Sequence, residues 1–135
     1  TLFKPNLKEI QAQLPFRVEP ELSSLRRAAE QIHSKLGNQY ALITLSDKGI
    51  FFDGNGDSEV LPTHPRSIAD VCGAGDTVFA IAGLGLSLGM DIRDIALLAN
   101  LAGGQVCEKV GVVPVDKAQL EQEYRAYVKN GTLAL

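Results

Sequence analysis

The sequence has 135 residues, 45% of them hydrophobic and 21% charged, with a net charge of −3 at neutral pH. This is enough chain for one domain with its own core, and the composition is that of an ordinary globular protein. It excludes a basic nucleic-acid surface and, because no run reaches roughly 18 apolar residues, a membrane-spanning helix. The longest apolar stretch, Val78–Leu88, is interrupted by Gly83 and Gly85 and reads as a buried helix. No signal peptide opens the sequence, so the expectation is a soluble, cytoplasmic protein. Cys72 and Cys107 have no CxxC or Cys/His spacing and read as thiols in a reducing compartment, without a zinc site.

In chain order, Thr1-Leu2-Phe3 reads as a strand already under way, which suggests a fragment; removal of a tag from a complete domain is the alternative. Asn6–Leu14 predicts a short helix ended by Pro15. Glu21–Leu36 predicts a longer one, with Leu22, Leu25, Ala29, Ile32 and Leu36 at three- and four-residue steps and Gly37 as its stop. Tyr40–Leu45 is an apolar run of strand length, expected to be buried on both faces. A turn at Ser46-Asp47-Lys48-Gly49 leads to a strand at Ile50–Phe52. Gly54-Asn55-Gly56-Asp57 then has hairpin-turn chemistry before a strand at Glu59–Leu61. Three helices follow: Gly75–Leu88, stopped by Gly89; Ile92–Glu108, with Ile95, Leu98, Ala99, Ala102 and Val106 on one face; and Lys117–Val128, after a cap at Pro114-Val115-Asp116. The alternation of strand and helix patterns predicts an α/β fold over residues 1–128, with 129–135 as a tail or linker start.

The most informative stretch is Asp70-Val71-Cys72-Gly73-Ala74-Gly75-Asp76-Thr77, between a predicted strand and an apolar helix. Small residues at Gly73, Ala74 and Gly75 let the backbone approach a ligand, and a helix starting there aims unpaired N–H groups and a positive dipole end at it. That suits an anion such as a phosphoryl group in transfer, with Asp76 placed to accept a proton from an attacking hydroxyl. The same residues also fit a tight connection whose first-turn carboxylate simply complements the dipole. The spacing is neither a P-loop nor a dinucleotide fingerprint.

This stretch is similar to the second signature of the pfkB (ribokinase) family of carbohydrate kinases, Asp-Thr-x-Gly-Ala-Gly-Asp-Thr, departing from it at Val71. The resemblance implies the C-terminal portion of a ribokinase-like three-layer α/β/α domain that transfers phosphate from ATP with Mg²⁺. Asp76 would be the general base, and Gly73, Ala74 and Gly75 the anion hole. Asp70 would help hold a monovalent cation such as K⁺, though Val71 offers no side-chain hydroxyl there.

Three further features fall in the family's order. Asn6-Leu7-Lys8-Glu9 is similar to its Asn-x-x-Glu motif, in which Asn6 and Glu9 would organise Mg²⁺ through water; the same residues make a helix capping box. Thr44-Leu45-Ser46-Asp47-Lys48-Gly49 resembles its Thr-x-Gly-x-x-Gly turn near the nucleotide, with Thr44, Ser46 and Gly49 in the matching positions and Ser46 replacing the commoner Gly. It also serves as a plain turn. Asn100 and Gly103, in Ala99-Asn100-Leu101-Ala102-Gly103-Gly104, resemble the helix lining the adenine pocket, although an Asn amid small residues is also an ordinary buried hydrogen-bonding group. Gly111-Val112-Val113-Pro114 resembles the family's closing loop. Lys4 and Lys48 could approach a phosphate, and both read equally as surface lysines; His33 and His64 read as solvated.

Within the family, Lys4-Pro5-Asn6-Leu7-x-Glu9, Gly75-Asp76-Thr77-Val78, Ala99–Gly104 and Lys109-Val110-Gly111 resemble the kinase domain of the bifunctional heptose enzymes. These phosphorylate D-glycero-D-manno-heptose 7-phosphate at the anomeric hydroxyl, on the way to ADP-heptose and lipopolysaccharide. The partners implied are ATP, a phosphorylated sugar and the missing lobe of the same protein. Monomer and homodimer stay open, as do a kinase of another sugar or nucleoside, a non-catalytic nucleotide-binding module and an interaction domain whose Gly-rich turn is structural. The fragment alone is expected to be inactive.

Overall fold

The predicted alternation is realised in a computed structural model, which describes residues 2–63, 74–108 and 113–130. The chain divides into two units, residues 1–61 and 62–135.

The first unit is built on a four-stranded sheet of order β1-β2-β3-β4. β1 (Leu2–Phe3) runs parallel to β2 (Tyr40–Thr44), while β3 (Ile50–Gly54) and β4 (Asp57–Leu61) extend the sheet antiparallel. The parallel pair requires a crossover, and α1 (Leu7–Gln13) and α2 (Leu22–Leu36) supply it. The β3–β4 hairpin closes through Asn55 and Gly56 alone, at φ 53° and 78°. Those left-handed angles match a two-residue turn to the twist of the strands, which is why an Asn-Gly pair stands there.

Side-chain alternation gives the sheet two buried faces. Ile43, Leu45 and Phe51 share one core with Ile10 and Leu14 of α1, Val18, and Leu25, Ala28, Ala29 and Ile32 of α2. On the opposite face Leu42, Ile50, Phe52 and Leu61 are at most 1% exposed, as expected for a strand run with no polar side. The apolar stripe of α2 differs from expectation at its end. Leu36 is 59% exposed and Ala28 is in the core, because the last turn of α2 leaves the shared core after Ile32. His33, expected to be solvated, is exposed but has its Nδ1 2.6 Å from the Asn38 carbonyl oxygen. On the α2-facing side of β3, burial pushes the Asp53 carboxyl above its ordinary value, opposed by the charges of His33 and Arg26.

The second unit holds three helices, α3 (Ala74–Ser87), α4 (Ile92–Cys107) and α5 (Lys117–Asn130). α3 and α4 pack antiparallel, and glycines bring them close at both ends. A Cβ on Gly85 would meet Ile95 Cγ1 at 2.7 Å, and one on Gly103 would meet Val78 Cγ2 at 2.8 Å. The reversal between them is a Schellman end, with Met90 N–H donating to the Gly85 carbonyl (3.0 Å) and Gly89 N–H to that of Leu86 (3.0 Å).

Burial wraps most of the circumference of α4 rather than the single face expected: Leu97, Leu101 and Gln105 are buried as well as Ile95 and Ala99. Gln105 is 1% exposed, and its amide binds the backbone of Asp116 from both sides, at 3.0 and 2.6 Å. Asp116 Oδ1 in turn accepts the N–H groups of Ala118 and Gln119, the predicted cap of α5. α5 continues two residues beyond Val128, through Lys129 and Asn130, with Lys129 in the last turn, where a cation complements the helix dipole. Cys107 is buried. No helix among the described residues is long and apolar enough to cross a membrane.

Candidate functional site

In the first unit the structure brings together two motifs that lie 38 residues apart. The Thr44 N–H donates to the Pro5 carbonyl (3.1 Å), and Thr44 and Asn6 form a parallel bridge. The end of β2 therefore runs beside the start of α1. An open cavity of about 580 Å³ lies there, with Asn6, Lys8, Gln11, Arg17, Thr44 and Ser46 among its lining residues. Its volume falls within the ordinary range of small-molecule sites.

Asn6 and Glu9 form a complete capping box. Asn6 Oδ1 accepts the Glu9 N–H at 2.7 Å, and Glu9 Oε1 accepts the Asn6 N–H at 3.2 Å. The helix-cap alternative is thus built, while Glu9 Oε2 makes no hydrogen bond among the described residues. Asn6 and Glu9 are exposed. Oxygen donors of this kind suit a hard cation that keeps most of its water. No cluster of three or more His, Cys, Asp or Glu side chains occurs among the described residues, so any Mg²⁺ here would depend on waters and a ligand's own oxygens.

The Thr44–Gly49 segment is a tight loop around a single 3₁₀ turn, Ser46–Lys48, closed by the Leu45 N–H to the Gly49 carbonyl at 2.9 Å. Gly49 sits at φ 101°, ψ −139°, a conformation open essentially to glycine alone. Ser46 stands at φ 58°. A residue with a Cβ therefore occupies a left-handed position that favours glycine. Lys48 is exposed and Lys4 half-buried.

In the second unit, Ala74, Gly75 and Asp76 form the first turn of α3. Gly75 and Asp76 are exposed, and no described atom lies within 4 Å of where a Cβ on Gly75 would sit. The first turn of this 14-residue helix thus carries an exposed acidic side chain. Asn100, on α4, donates its Nδ2–H to the Pro62 carbonyl at 2.9 Å, so its amide holds the segment at Pro62 to α4. Gly103 is buried against Val78. The candidate residues Asp70 and Gly73, with Val71, Cys72, His64, the Lys109–Val112 segment and residues 131–135, lie outside the described residues.

Sequence reasoning missed several residues here. Lys8 and Arg17 bring two cations to the cavity. Gln11 holds the segment after α1 by donating to the Phe16 carbonyl (2.8 Å) and accepting the Val18 N–H (2.8 Å). Nothing in their local pattern separates them from surface residues of a short helix; only the fold of residues 15–18 back onto α1 does.

Comparison with known proteins adds the following. The family model of the pfkB carbohydrate kinases matches residues 1–118. The bifunctional protein HldE of Syntrophotalea carbinolica is 38% identical over 123 residues, covering 90% of this chain and 25% of that protein. HldE of Nitratiruptor sp. is 34% identical, covering 98% and 28%. Phosphofructokinase-2 from Escherichia coli, solved in complex with potassium, superposes with a TM-score of 0.83 at 21% identity, covering 96% of this chain and 41% of that one. Arabidopsis thaliana ribokinase, complexed with ribose and ATP, gives 0.77 at 21% identity, covering 90% and 39%. The fold is therefore the α/β fold of these kinases, and the chain spans about a quarter of the length of the curated relatives it matches.

Proposed function

The chain belongs to the pfkB family of carbohydrate kinases, and from that premise we propose that it forms the ATP-binding, catalytic C-terminal part of a sugar kinase. The observation that carries this reading is the first turn of α3, where Gly75 and Asp76 stand exposed at the N-terminus of a 14-residue helix. The ATP of the ribokinase complex extends to this chain as phosphoryl donor.

Phosphoryl transfer leaves a protein two tasks, to hold the reactants in line and to stabilise charge on the transferred group. The amides of Ala74 and Gly75, in the first turn of α3, are suited to the second, since backbone N–H groups at a helix start meet anionic oxygens without reorganising, and the family motif would add that of Gly73. Asp76 takes the proton of the acceptor hydroxyl as the new P–O bond forms and the bond to the ADP leaving oxygen breaks; no phosphoenzyme is involved. Thr44, Ser46 and Gly49 on the loop beside α1, with Asn100 on α4, are the nucleotide contacts of this reading. Asn6 and Glu9 would hold Mg²⁺ through water, and the ion would offset negative charge on the nucleotide phosphates. A monovalent cation near Asp70 belongs to the same reading. We assign the reaction to the cytoplasm, where ATP is held.

The HldE proteins among the relatives support a narrower acceptor, D-glycero-D-manno-heptose 7-phosphate at its anomeric hydroxyl. The acceptor-binding part lies in the remainder of a longer protein, so this stretch alone is expected to be inactive. The deciding experiment uses the full-length protein. Asp76→Asn should lower turnover with ATP and the heptose phosphate by orders of magnitude while ATP binding is retained. Near-normal turnover in that variant overturns the assignment of the base. Equal kcat/KM for ribose or fructose 6-phosphate and the heptose overturns the acceptor.

A further inference from the structure

We propose that Gly103 is a positioning residue for phosphoryl transfer, its missing side chain setting how closely the first turn of α3 sits on α4. The inference rests on the reading of Asp76 as the base. It gives Gly103 a different part from the nucleotide contact expected from the sequence.

The geometry is specific to that turn. A Cβ at position 103 would lie 2.8 Å from Val78 Cγ2 and 3.7 Å from the Ala74 carbonyl oxygen. Ala74 and Val78 flank Asp76 by two residues on either side. Val78 is 6% exposed and Asp76 exposed. That contrast follows from helical spacing, since two residues turn about 200° around the axis. α3 therefore rests on α4 through Val78 and holds Asp76 out on its far side. Carbon atoms in ordinary contact stand roughly 3.5–4.0 Å apart, so a methyl at 103 must push the turn away by most of an ångström or rotate Val78. Rotation is disfavoured, because valine in a helix keeps one χ1 rotamer about 90% of the time. The turn moves, and Asp76 moves with it.

The same helix pair contains its own control. Gly85 makes an equally close contact, 2.7 Å from Ile95 Cγ1, again against a β-branched side chain. It lies nine residues beyond Asp76, about 13 Å along the axis. Alanine at 85 overpacks the same interface at least as much as alanine at 103, and only the second does so beside the acidic turn.

The test is steady-state kinetics on the full-length protein, with kcat expressed per folded molecule and Tm measured in parallel. Gly103→Ala is expected to lower kcat by about 10- to 100-fold with little change in the KM for ATP, as a displacement of about 1 Å at a reacting group does. Gly85→Ala should lower Tm comparably and leave kcat unchanged. Adding Val78→Ala to Gly103→Ala removes the methyl that clashes, so kcat should return to that of Val78→Ala alone even though Tm falls further. This recovery against stability is a readout that a merely structural glycine would not give, and it holds even if Gly103→Ala alone does not fold.

An equal loss of kcat in Gly85→Ala and Gly103→Ala overturns the proposal, as does a double variant that stays impaired. A raised KM for ATP with unchanged kcat in Gly103→Ala overturns it too, in favour of direct nucleotide contact. Asp76→Asn in the same assay separates the two inferences. If it keeps turnover, the base reading fails; if it is dead while Gly103→Ala is unimpaired, only the positioning role fails.

Discussion

Glu9→Gln separates two roles that one side chain is asked to play. In the structure the Glu9 carboxylate accepts the Asn6 N–H at 3.2 Å, while Asn6 Oδ1 accepts the Glu9 N–H at 2.7 Å. Glutamine has an acceptor oxygen at the same place, and capping boxes accept Gln as well as Glu at this position. The substitution therefore keeps the cap and removes only the charge. The lost charge–dipole attraction is about 0.3–1 kcal/mol at low ionic strength and less in physiological salt, where exposed charges are screened. Glu9→Ala loses the return hydrogen bond as well, about a further 0.5–1 kcal/mol. Urea denaturation of the full-length variants measures this order. A water-mediated ligand of Mg²⁺ answers differently, because the outer-shell carboxylate itself is gone. The Mg²⁺ concentration for half-maximal phosphoryl transfer should rise by about 10- to 100-fold in Glu9→Gln. If that concentration is unchanged while stability is preserved, the motif is a helix cap and nothing more. If Glu9→Gln is as unstable as Glu9→Ala, the geometric account of the cap is wrong.

Ser46→Gly should stabilise the fold by about 0.5–1 kcal/mol, the relief of a left-handed Cβ less the extra freedom of glycine in the unfolded chain; a lower denaturation midpoint contradicts that balance. Gln105→Leu should destabilise by about 2–4 kcal/mol, because it leaves the Asp116 N–H and carbonyl without the partners they have at 2.6 and 3.0 Å, and a change below 1 kcal/mol means water replaces them. The raised Asp53 carboxyl gives a pH dependence with a definite sign. Its folded-state pKa lies above the unfolded value, so its contribution to stability is fully present below the unfolded pKa, near 3.8, and falls away as pH rises through the folded one. Asp53→Asn should therefore be more stable than the parent at neutral pH, with the difference vanishing below the unfolded pKa. Thermal melts across that range check it, and a parent that is the more stable at neutral pH reverses the sign of the argument.

Much of this molecule is written locally. Periodic apolar spacing, Gly37 after Leu36, the Asn55-Gly56 pair and Asp116 ahead of α5 each act through contacts a few residues away, so the sequence by itself determined where most elements begin and end. It also carried the family motif at Gly73–Asp76, because a motif is a local run of residue types at fixed spacing. Distances between remote segments are another matter. That Thr44 bridges to Asn6, that Arg17 reaches the cavity beside them and that Gln105 clamps Asp116 depend on strand pairing and helix packing. Gly103 makes the difference plainest. In the sequence it stands among several small residues on an apolar helix, marked only by its resemblance to a helix beside a nucleotide, and nothing there points to a packing role against α3. Only the approach of α3 to α4 turns its missing Cβ into a constraint on the turn that carries Asp76, because close packing is a property of two surfaces and no single segment encodes both.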